Sequence, residues 1–143
     1  MVQHILVGID GSDNSKKAAV KAAEMAQATG AKVTLMFVAE PATVIPLSAL
    51  DGMPVVRREY TPEELEQILG RLGAIAAELP IKPVEKRVEI GAIADTLCDQ
   101  AQKLGADLIV VGARGLSPVK RWFLGSVSDR VVHHARTPVL VVR

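Results

Sequence analysis

Short apolar segments alternate along the chain with longer segments in which apolar residues recur every three or four positions. The short segments cover residues 4–9, 32–38, 84–90, 108–111 and 139–142. Most are continuous runs of Val, Ile and Leu, which is typical of strands buried on both faces of a parallel sheet. Segment 84–90 mixes apolar and charged residues, which favours a position at or near the edge of the sheet. The pattern therefore predicts five strands.

Four helices are predicted between these strands, at about residues 13–29, 62–79, 92–104 and 126–136. The second has the clearest start, because Thr61 precedes Pro62 and Glu64 in the pattern of a capping box. The stretch from Glu40 to Tyr60 lacks periodicity, so we expect an irregular loop that could act as a lid. Strands that alternate with helices indicate an α/β fold with right-handed crossovers, and the pattern leaves strand order open.

The segment after the fourth strand has the features of an anion-binding loop. Gly112 and Gly115 lack Cβ atoms and are free to adopt positive φ, so their N–H groups could approach a ligand closely. Gly125 precedes the first turn of a predicted helix, where unpaired N–H groups and the helix dipole attract phosphate. That turn contains Ser126, Val127 and Ser128, and the two serines add hydroxyl groups. Positive charge in the same region comes from Arg114, Lys120 and Arg121. We predict a cradle for a polyphosphate.

The same residues also have explanations that need no ligand. Gly112 could simply end a strand, and Gly115 could be a turn residue. Ser126 could cap the helix by forming a capping box with Asp129, which lies three positions further on.

Asp10 is the first carboxylate after the first predicted strand. In an open parallel sheet, ligands bind outside the carboxyl ends of the strands, which places Asp10 in the expected zone. Alternatively, Asp10 and Gly11 only form the turn into the first helix. The residues alone leave both interpretations open.

Length and composition limit the possible classes of protein. A chain of 143 residues with 49% apolar content fits one domain over residues 1–143, with an aliphatic core because only 3% of residues are aromatic. A formal net charge of +1 gives no global attraction to nucleic acid or to an anionic membrane. No apolar run is long enough for a membrane span, and Met1 leads directly into a strand, so we expect a cytoplasmic protein. Cys98 has no disulfide partner within the chain, and we expect it to be buried on a helix face.

The motif Gly112-x2-Gly115-x9-Gly125-Ser126 matches the glycine and serine spacing of the ATP-binding branch of the universal stress protein family. The surrounding sequences DLIVVGARG, LGSVSDRV and TPVLVVR also resemble that family, and the similarity extends over essentially the whole chain. The resemblance implies a three-layer α/β sandwich, adenine nucleotide alpha hydrolase-like and Rossmann-like, with a five-stranded parallel sheet in the order 3-2-1-4-5.

The resemblance also implies a ligand, ATP with Mg²⁺, and its binding residues. The nucleoside part is expected near Ile9, Asp10, Gly11 and the backbone of Val38. The phosphates are expected on Gly112, Arg114, Gly115, Gly125, Ser126, Val127 and Ser128. A homodimer through the last strand, Val139–Val142, is a further implication, whereas nucleic acid and membrane partners are not expected.

The chain contains neither a GxxxxGK[ST] nor a GxGxxG motif, so P-loop hydrolysis and dinucleotide binding lack support. No residue is an obvious general base. We therefore expect a nucleotide-dependent regulatory protein without fast catalysis. A slow ATP or adenylate hydrolase, a cyclic AMP-binding protein and a nucleotide-free dimerising module remain alternatives.

Overall fold

The computed structural model describes residues 1–41, 59–115 and 124–143, together with the backbone of residues 43–44 and 56–57. The strands are β1 (His4–Gly8), β2 (Lys32–Ala39), β3 (Thr43–Val44), β4 (Val56–Arg57), β5 (Val84–Ile90), β6 (Leu108–Gly112) and β7 (Val139–Val142). The helices are α1 (Asp13–Thr29), α2 (Pro62–Glu78), α3 (Ile93–Lys103) and α4 (Ser126–His134).

These elements agree with the sequence pattern except in two places. The predicted loop from Glu40 to Tyr60 is not wholly irregular, because β3 and β4 pair as a short antiparallel ladder within it. Helix α4 ends earlier than expected, since Ala135 already has extended backbone angles. The predicted strands and the starts of α1, α2 and α4 are otherwise confirmed to within a residue or two.

The five long strands form one parallel sheet in the order β5-β2-β1-β6-β7. Counted along the chain without β3 and β4, this is the expected order 3-2-1-4-5, which is therefore confirmed. The chain moves from β1 towards one edge through β2 and β5, and then crosses to the other side of β1 to form β6 and β7. The strand order thus reverses between β1 and β6, where open α/β sheets commonly bind ligands.

Two apolar layers cover the sheet because side chains alternate along each strand. On one face, Ile5 and Val7 of β1 pack with the alanines of α1 and with α2. On the other face, Leu6 packs with α3 and α4. The α1 alanines are almost fully buried, which lets this helix lie close to the sheet: Ala18, Ala19, Ala22, Ala23 and Ala26. Among the described residues, no helix is both long and apolar enough to cross a membrane.

Local signals account for the helix starts. The Ser12 hydroxyl caps α1 by accepting a hydrogen bond from the Ser15 backbone N–H. At α2 the predicted capping box is confirmed, since Thr61 and Glu64 each accept a hydrogen bond from the other residue's backbone N–H. Cys98 is buried on α3 as expected, and burial raises the pKa of its thiol.

Candidate functional site

A cavity of about 300 Å³ lies at the carboxyl ends of β1, β2 and β6, where the strand order reverses. All of the predicted site residues except Gly11 line it. Its wall also contains residues that sequence reasoning did not select: Gly8, Ser15, Met36, Phe37, Glu40, Tyr60, Ile93, Leu97 and Val111. The fold therefore brings the predicted residues together from four separate elements.

Gly112 and Gly115 are required by close contacts and not by their backbone angles. A Cβ on Gly112 would lie 2.8 Å from the backbone carbonyl carbon of Asn14, where the first turn of α1 passes β6. A Cβ on Gly115 would lie 2.5 Å from Oδ2 of Asp10. Neither glycine has a φ in the left-handed region, so neither uses the conformational freedom of glycine. Gly115 thus leaves room for the Asp10 carboxylate inside the cavity.

Gly125 is the N-cap residue of α4, and its N–H donates to the Ala113 carbonyl oxygen over 2.7 Å. Within the described part of the chain, no side chain caps this helix. Ser126 is already the first helical residue, so the interpretation of Ser126 and Asp129 as a capping box is wrong. The N–H groups of the first helical turn have no intrahelical acceptor and therefore remain available to an anion.

The two serines of this turn differ in their surroundings. Ser128 is 3% exposed. Its hydroxyl oxygen lies 2.8 Å from the carbonyl oxygen of Ala113 and 3.0 Å from that of Gly125. The hydroxyl hydrogen is therefore donated within the loop, which ties α4 to the end of β6, and only the Ser128 backbone N–H remains for a ligand. Ser126 is exposed, so its hydroxyl faces solvent at the cavity wall.

Asp10 forms the turn into α1 and also lies in the cavity wall. Its Oδ1 accepts hydrogen bonds from the Ser12 N–H, over 2.8 Å, and from the Ser12 hydroxyl. Gly11 adopts a φ of 87°, a left-handed conformation that glycine allows, and completes the turn. The other carboxylate oxygen, Oδ2, faces Gly115 across the cavity. Asp10 therefore shapes the turn with one oxygen, while the other lies beside Gly115 in the cavity.

Positive charge at the cavity comes from Arg114, which is half-buried in the wall. Among the described residues, its guanidinium has no carboxylate partner, so it is available to an anion. Lys120 and Arg121 lie outside the described residues, as does Trp122, the bulky residue that follows them. The side chain of Arg57 and the whole of Arg58, a basic pair in the predicted loop from Glu40 to Tyr60, also lie outside them.

The opposite part of the cavity is largely apolar. Val38 is 5% exposed and shares its face of β2 with Met36, while Ile93 and Leu97 approach from the first turns of α3. Sequence reasoning selected Val38 but missed Met36, Ile93 and Leu97, because their spacing is that of ordinary core positions. Two signals were available. Met36 lies two positions before Val38 and so shares its face of β2, and Ile93 and Leu97 come shortly after the turn that follows β5.

Glu40 and Tyr60 complete the wall at the end of β2. The Tyr60 hydroxyl donates to the Glu40 backbone oxygen over 3.4 Å, which links the start of α2 to the end of β2. Both residues lie at the borders of the segment that the sequence assigned to a loop, where no periodicity indicates which side chains turn inward.

The described part of the chain contains no group of three or more His, Cys, Asp and Glu side chains placed to hold a metal ion.

Comparison with known proteins then identifies the family. The model of the universal stress protein family matches residues 1–143. The chain belongs to the universal stress protein family. A relative of that name in Staphylococcus aureus (strain USA300) is 33% identical over 142 residues, which cover 99% of this chain and 84% of the relative.

Solved universal stress proteins have the same fold over nearly the whole chain. Universal stress protein UspA from Lactobacillus plantarum has a TM-score of 0.73 and 27% identity, with 99% of this chain and 98% of that chain covered. A universal stress protein crystallised in complex with cAMP has a TM-score of 0.69 and 31% identity, with 99% and 97% covered.

Proposed function

We propose that this universal stress protein is a regulatory module that binds ATP in the cavity at the carboxyl ends of β1, β2 and β6. The observation that carries the proposal is the pairing of two unlike surfaces in one cavity of about 300 Å³. An apolar part at β2 and α3 faces a part rich in N–H donors at β6 and α4. A nucleotide has the same division, with an apolar base at one end and phosphates at the other.

The apolar part suits a purine base. Val38, Ile93 and Leu97 offer aliphatic surface on which a flat ring can be buried. The backbone at Val38 lies at the end of β2, so its polar groups can meet the edge of the base. Ile9 and Asp10 lie between the two parts, and the Asp10 carboxylate Oδ2 is the proposed acceptor for the ribose hydroxyls.

The phosphates then lie on the loop between β6 and α4. Gly115 leaves room for the Asp10 carboxylate, and Gly125 lets the loop backbone pack closely at the start of α4. The first turn of α4 supplies N–H donors, and Arg114 supplies positive charge. Mg²⁺ in such complexes is held mainly by phosphate oxygens and water with one or two carboxylates. Because Asp10 Oδ2 is the proposed acceptor for the ribose, we propose that Mg²⁺ is held by phosphate oxygens and water.

Slow or absent hydrolysis is part of the proposal. The ionisable acids in the described wall are Asp10 and Glu40, and that wall contains no histidine to act as a general base. Asp10 already accepts two hydrogen bonds from Ser12 through Oδ1. A base needs to lie within hydrogen-bond reach of an attacking water. Asp129, in the first turn of α4, does not line the cavity.

We further propose a homodimer through β7. This strand lies at one edge of the sheet, and the side chains of Val139–Val142 are all partly exposed. The other edge, β5, carries charged residues that discourage pairing, including Glu85, Lys86 and Arg87. An apolar edge strand without charges favours association with a second copy.

Cyclic AMP is the second candidate ligand, since the solved relative with 31% identity contains cAMP. It carries the same base and ribose but a single phosphate, which would occupy only part of the loop. The two candidates differ in how strongly they depend on positive charge beside the phosphates.

Titration calorimetry with ATP and with cAMP tests both candidates. Arg114→Gln is expected to weaken ATP binding by roughly tenfold or more, because a hydrogen bond to a charged group contributes about 1.5–3 kcal/mol. Arg71→Gln is the matched control, because Arg71 is an exposed arginine on α2 away from the cavity. Binding of cAMP alone would favour the second candidate, and no binding of either would contradict the proposed function.

A further inference from the structure

His4 is a buried histidine at the end of the sheet opposite the cavity. It is 3% exposed, and both of its ring nitrogens have partners. Nδ1 lies 3.2 Å from the Leu104 carbonyl oxygen, and Nε2 lies 2.8 Å from Oγ1 of Thr34. A carbonyl oxygen only accepts hydrogen bonds, so Nδ1 must carry a hydrogen. In the neutral imidazole Nε2 is then an acceptor.

The Thr34 hydroxyl lies between two acceptors. Its Oγ1 is 2.8 Å from Nε2 of His4 and 3.3 Å from Oε2 of Glu85, and it has a single hydrogen to donate. When His4 is neutral, that hydrogen is donated to Nε2. When His4 is protonated, Nε2–H donates to Oγ1, and the hydroxyl hydrogen is donated to the Glu85 carboxylate instead.

We propose that His4, Thr34 and Glu85 form a proton-responsive hydrogen-bond relay across β1, β2 and β5. The added proton resides on Nε2 of His4, and its charge is compensated through the hydroxyl by the carboxylate of Glu85. Glu85 is 41% exposed, so the relay connects a buried imidazole to solvent at the charged edge of the sheet. Protonation of His4 therefore moves the hydrogen bond donated by the Thr34 hydroxyl from His4 to Glu85 on the edge strand β5.

The charges around His4 act in opposite directions. Burial lowers its pKa most, and Lys32, which is paired with it on β2, lowers it further. The hydrogen bond to Leu104 at the end of α3 raises the pKa, as do the charges of Glu85 on β5 and Asp107 before β6. The result is a pKa below the ordinary value of 6.5.

Because burial outweighs the compensation by Glu85, the stability of the fold depends on pH in a defined window. The unfolded chain takes up the proton near pH 6.5, whereas folded His4 takes it up only at lower pH. The contribution of neutral His4 to the free energy of unfolding is fully present above about pH 6.5, and it falls as the pH drops towards the folded pKa of His4. The Arg87 side chain beside Glu85 lowers the pKa of that carboxyl from 4.5, and the backbone N–H groups of Gln3 and His4 lower the pKa of Asp107 from 3.8. The stability that these two carboxylates contribute is therefore lost in a more acidic range.

Nitrogen-15 NMR of the histidine rings tests the relay directly. The chain has three histidines, and His4→Gln identifies the His4 signals by their disappearance. At neutral pH the wild type is expected to show the Nδ1–H tautomer, with Nε2 unprotonated. An Nε2–H tautomer would overturn the assignment of the hydroxyl hydrogen.

A mutant cycle separates the relay from simple attraction between charges. Glu85→Gln is expected to lower the pKa of His4, and Glu89→Gln on the same strand should lower it much less. In a Thr34→Val background, Glu85→Gln should have a smaller effect than in the wild type because the hydroxyl link is missing. An equal effect in both backgrounds would refute the relay in favour of through-space charge alone.

If Thr34→Val does not fold, the Glu85→Gln and Glu89→Gln variants still test the proposal. Glu85 and Glu89 are both on the edge strand, and equal shifts from their two substitutions would also overturn the proposal. Thermal unfolding supplies a second measurement. The wild type should lose stability between pH 7.5 and pH 5.5, and His4→Gln should lose less over the same interval; an unchanged slope would contradict the role of His4.

Discussion

Two glycine-to-alanine substitutions, one at the end of β6 and one in the loop that follows, should affect different properties of the protein. Gly112→Ala places a Cβ 2.8 Å from a backbone atom of Asn14, whereas Gly115→Ala places one 2.5 Å from the end of the Asp10 side chain. Backbone in the first turn of α1 cannot move without disturbing the packing of that helix. A carboxylate moves by rotating about its side-chain bonds. We expect Gly112→Ala to impair the fold and Gly115→Ala to impair the site.

The magnitudes follow from these contacts. Overpacking against backbone costs about 1–3 kcal/mol, which lowers the Tm of a domain of this size by roughly 3–9 °C. Gly115 is not in the left-handed region, so alanine adds no backbone strain there, and the loss of stability should stay below about 1 kcal/mol. Displacing Asp10 should instead weaken nucleotide binding by on the order of tenfold, since a hydrogen bond to an ionised group is lost.

Thermal unfolding and calorimetry with ATP, run on both variants, separate the two effects. Gly70→Ala on α2 is a control, because a Cβ there meets nothing within 4 Å. This variant should be slightly more stable than the wild type, by about 0.5–1 kcal/mol, and should bind ATP normally. Unchanged ATP affinity in Gly115→Ala would refute the role given to the space between Gly115 and Asp10, and a normal Tm in Gly112→Ala would refute the steric argument.

Three other substitutions test separate parts of the account. Leu140→Lys should give monomers in sedimentation experiments by placing a charge on β7, whereas Val20→Lys on the exposed face of α1 should not; a persistent Leu140→Lys dimer would exclude β7 as the interface. Thr61→Ala removes the capping box of α2 and should cost about 1 kcal/mol in chemical denaturation, with ATP affinity unchanged. Leu97→Ala removes a side chain that is 2% exposed and should cost roughly 2–5 kcal/mol while enlarging the apolar part of the cavity. A loss of stability below 1 kcal/mol would show that this part of the cavity collapses easily.

The fold was largely predictable because its signals are local. The apolar runs, the Thr61–Glu64 capping box and the glycine that ends α1 each act within a few residues. The strand order came from the family resemblance, because the periodicity of a strand does not show which strand lies beside it. The β3–β4 ladder was not predicted, because each of its strands has two residues, which is too few to show an alternation of apolar and polar positions.

The site was predictable where sequence spacing reflects a steric requirement and less so where contacts join distant segments. Gly115 and Gly125 were correctly placed in one cavity, yet the contact between Gly115 and Asp10 joins residues far apart in sequence. The hydrogen bond from the Ser128 hydroxyl to the Ala113 carbonyl oxygen was missed for the same reason, because it joins two residues on opposite sides of the loop. Glu40 and Tyr60 were missed because an aperiodic segment does not reveal which side chains line a cavity.

Mass spectrometry of the small molecules released by denaturing purified, undialysed protein is the most direct test of the central claim. The account predicts an adenine nucleotide, ATP in particular, at close to one molecule per chain, and a much smaller amount from Gly115→Ala purified in parallel. Protein that releases no nucleotide, and that also shows no heat of binding with added ATP, would contradict the assignment of the cavity as a nucleotide site.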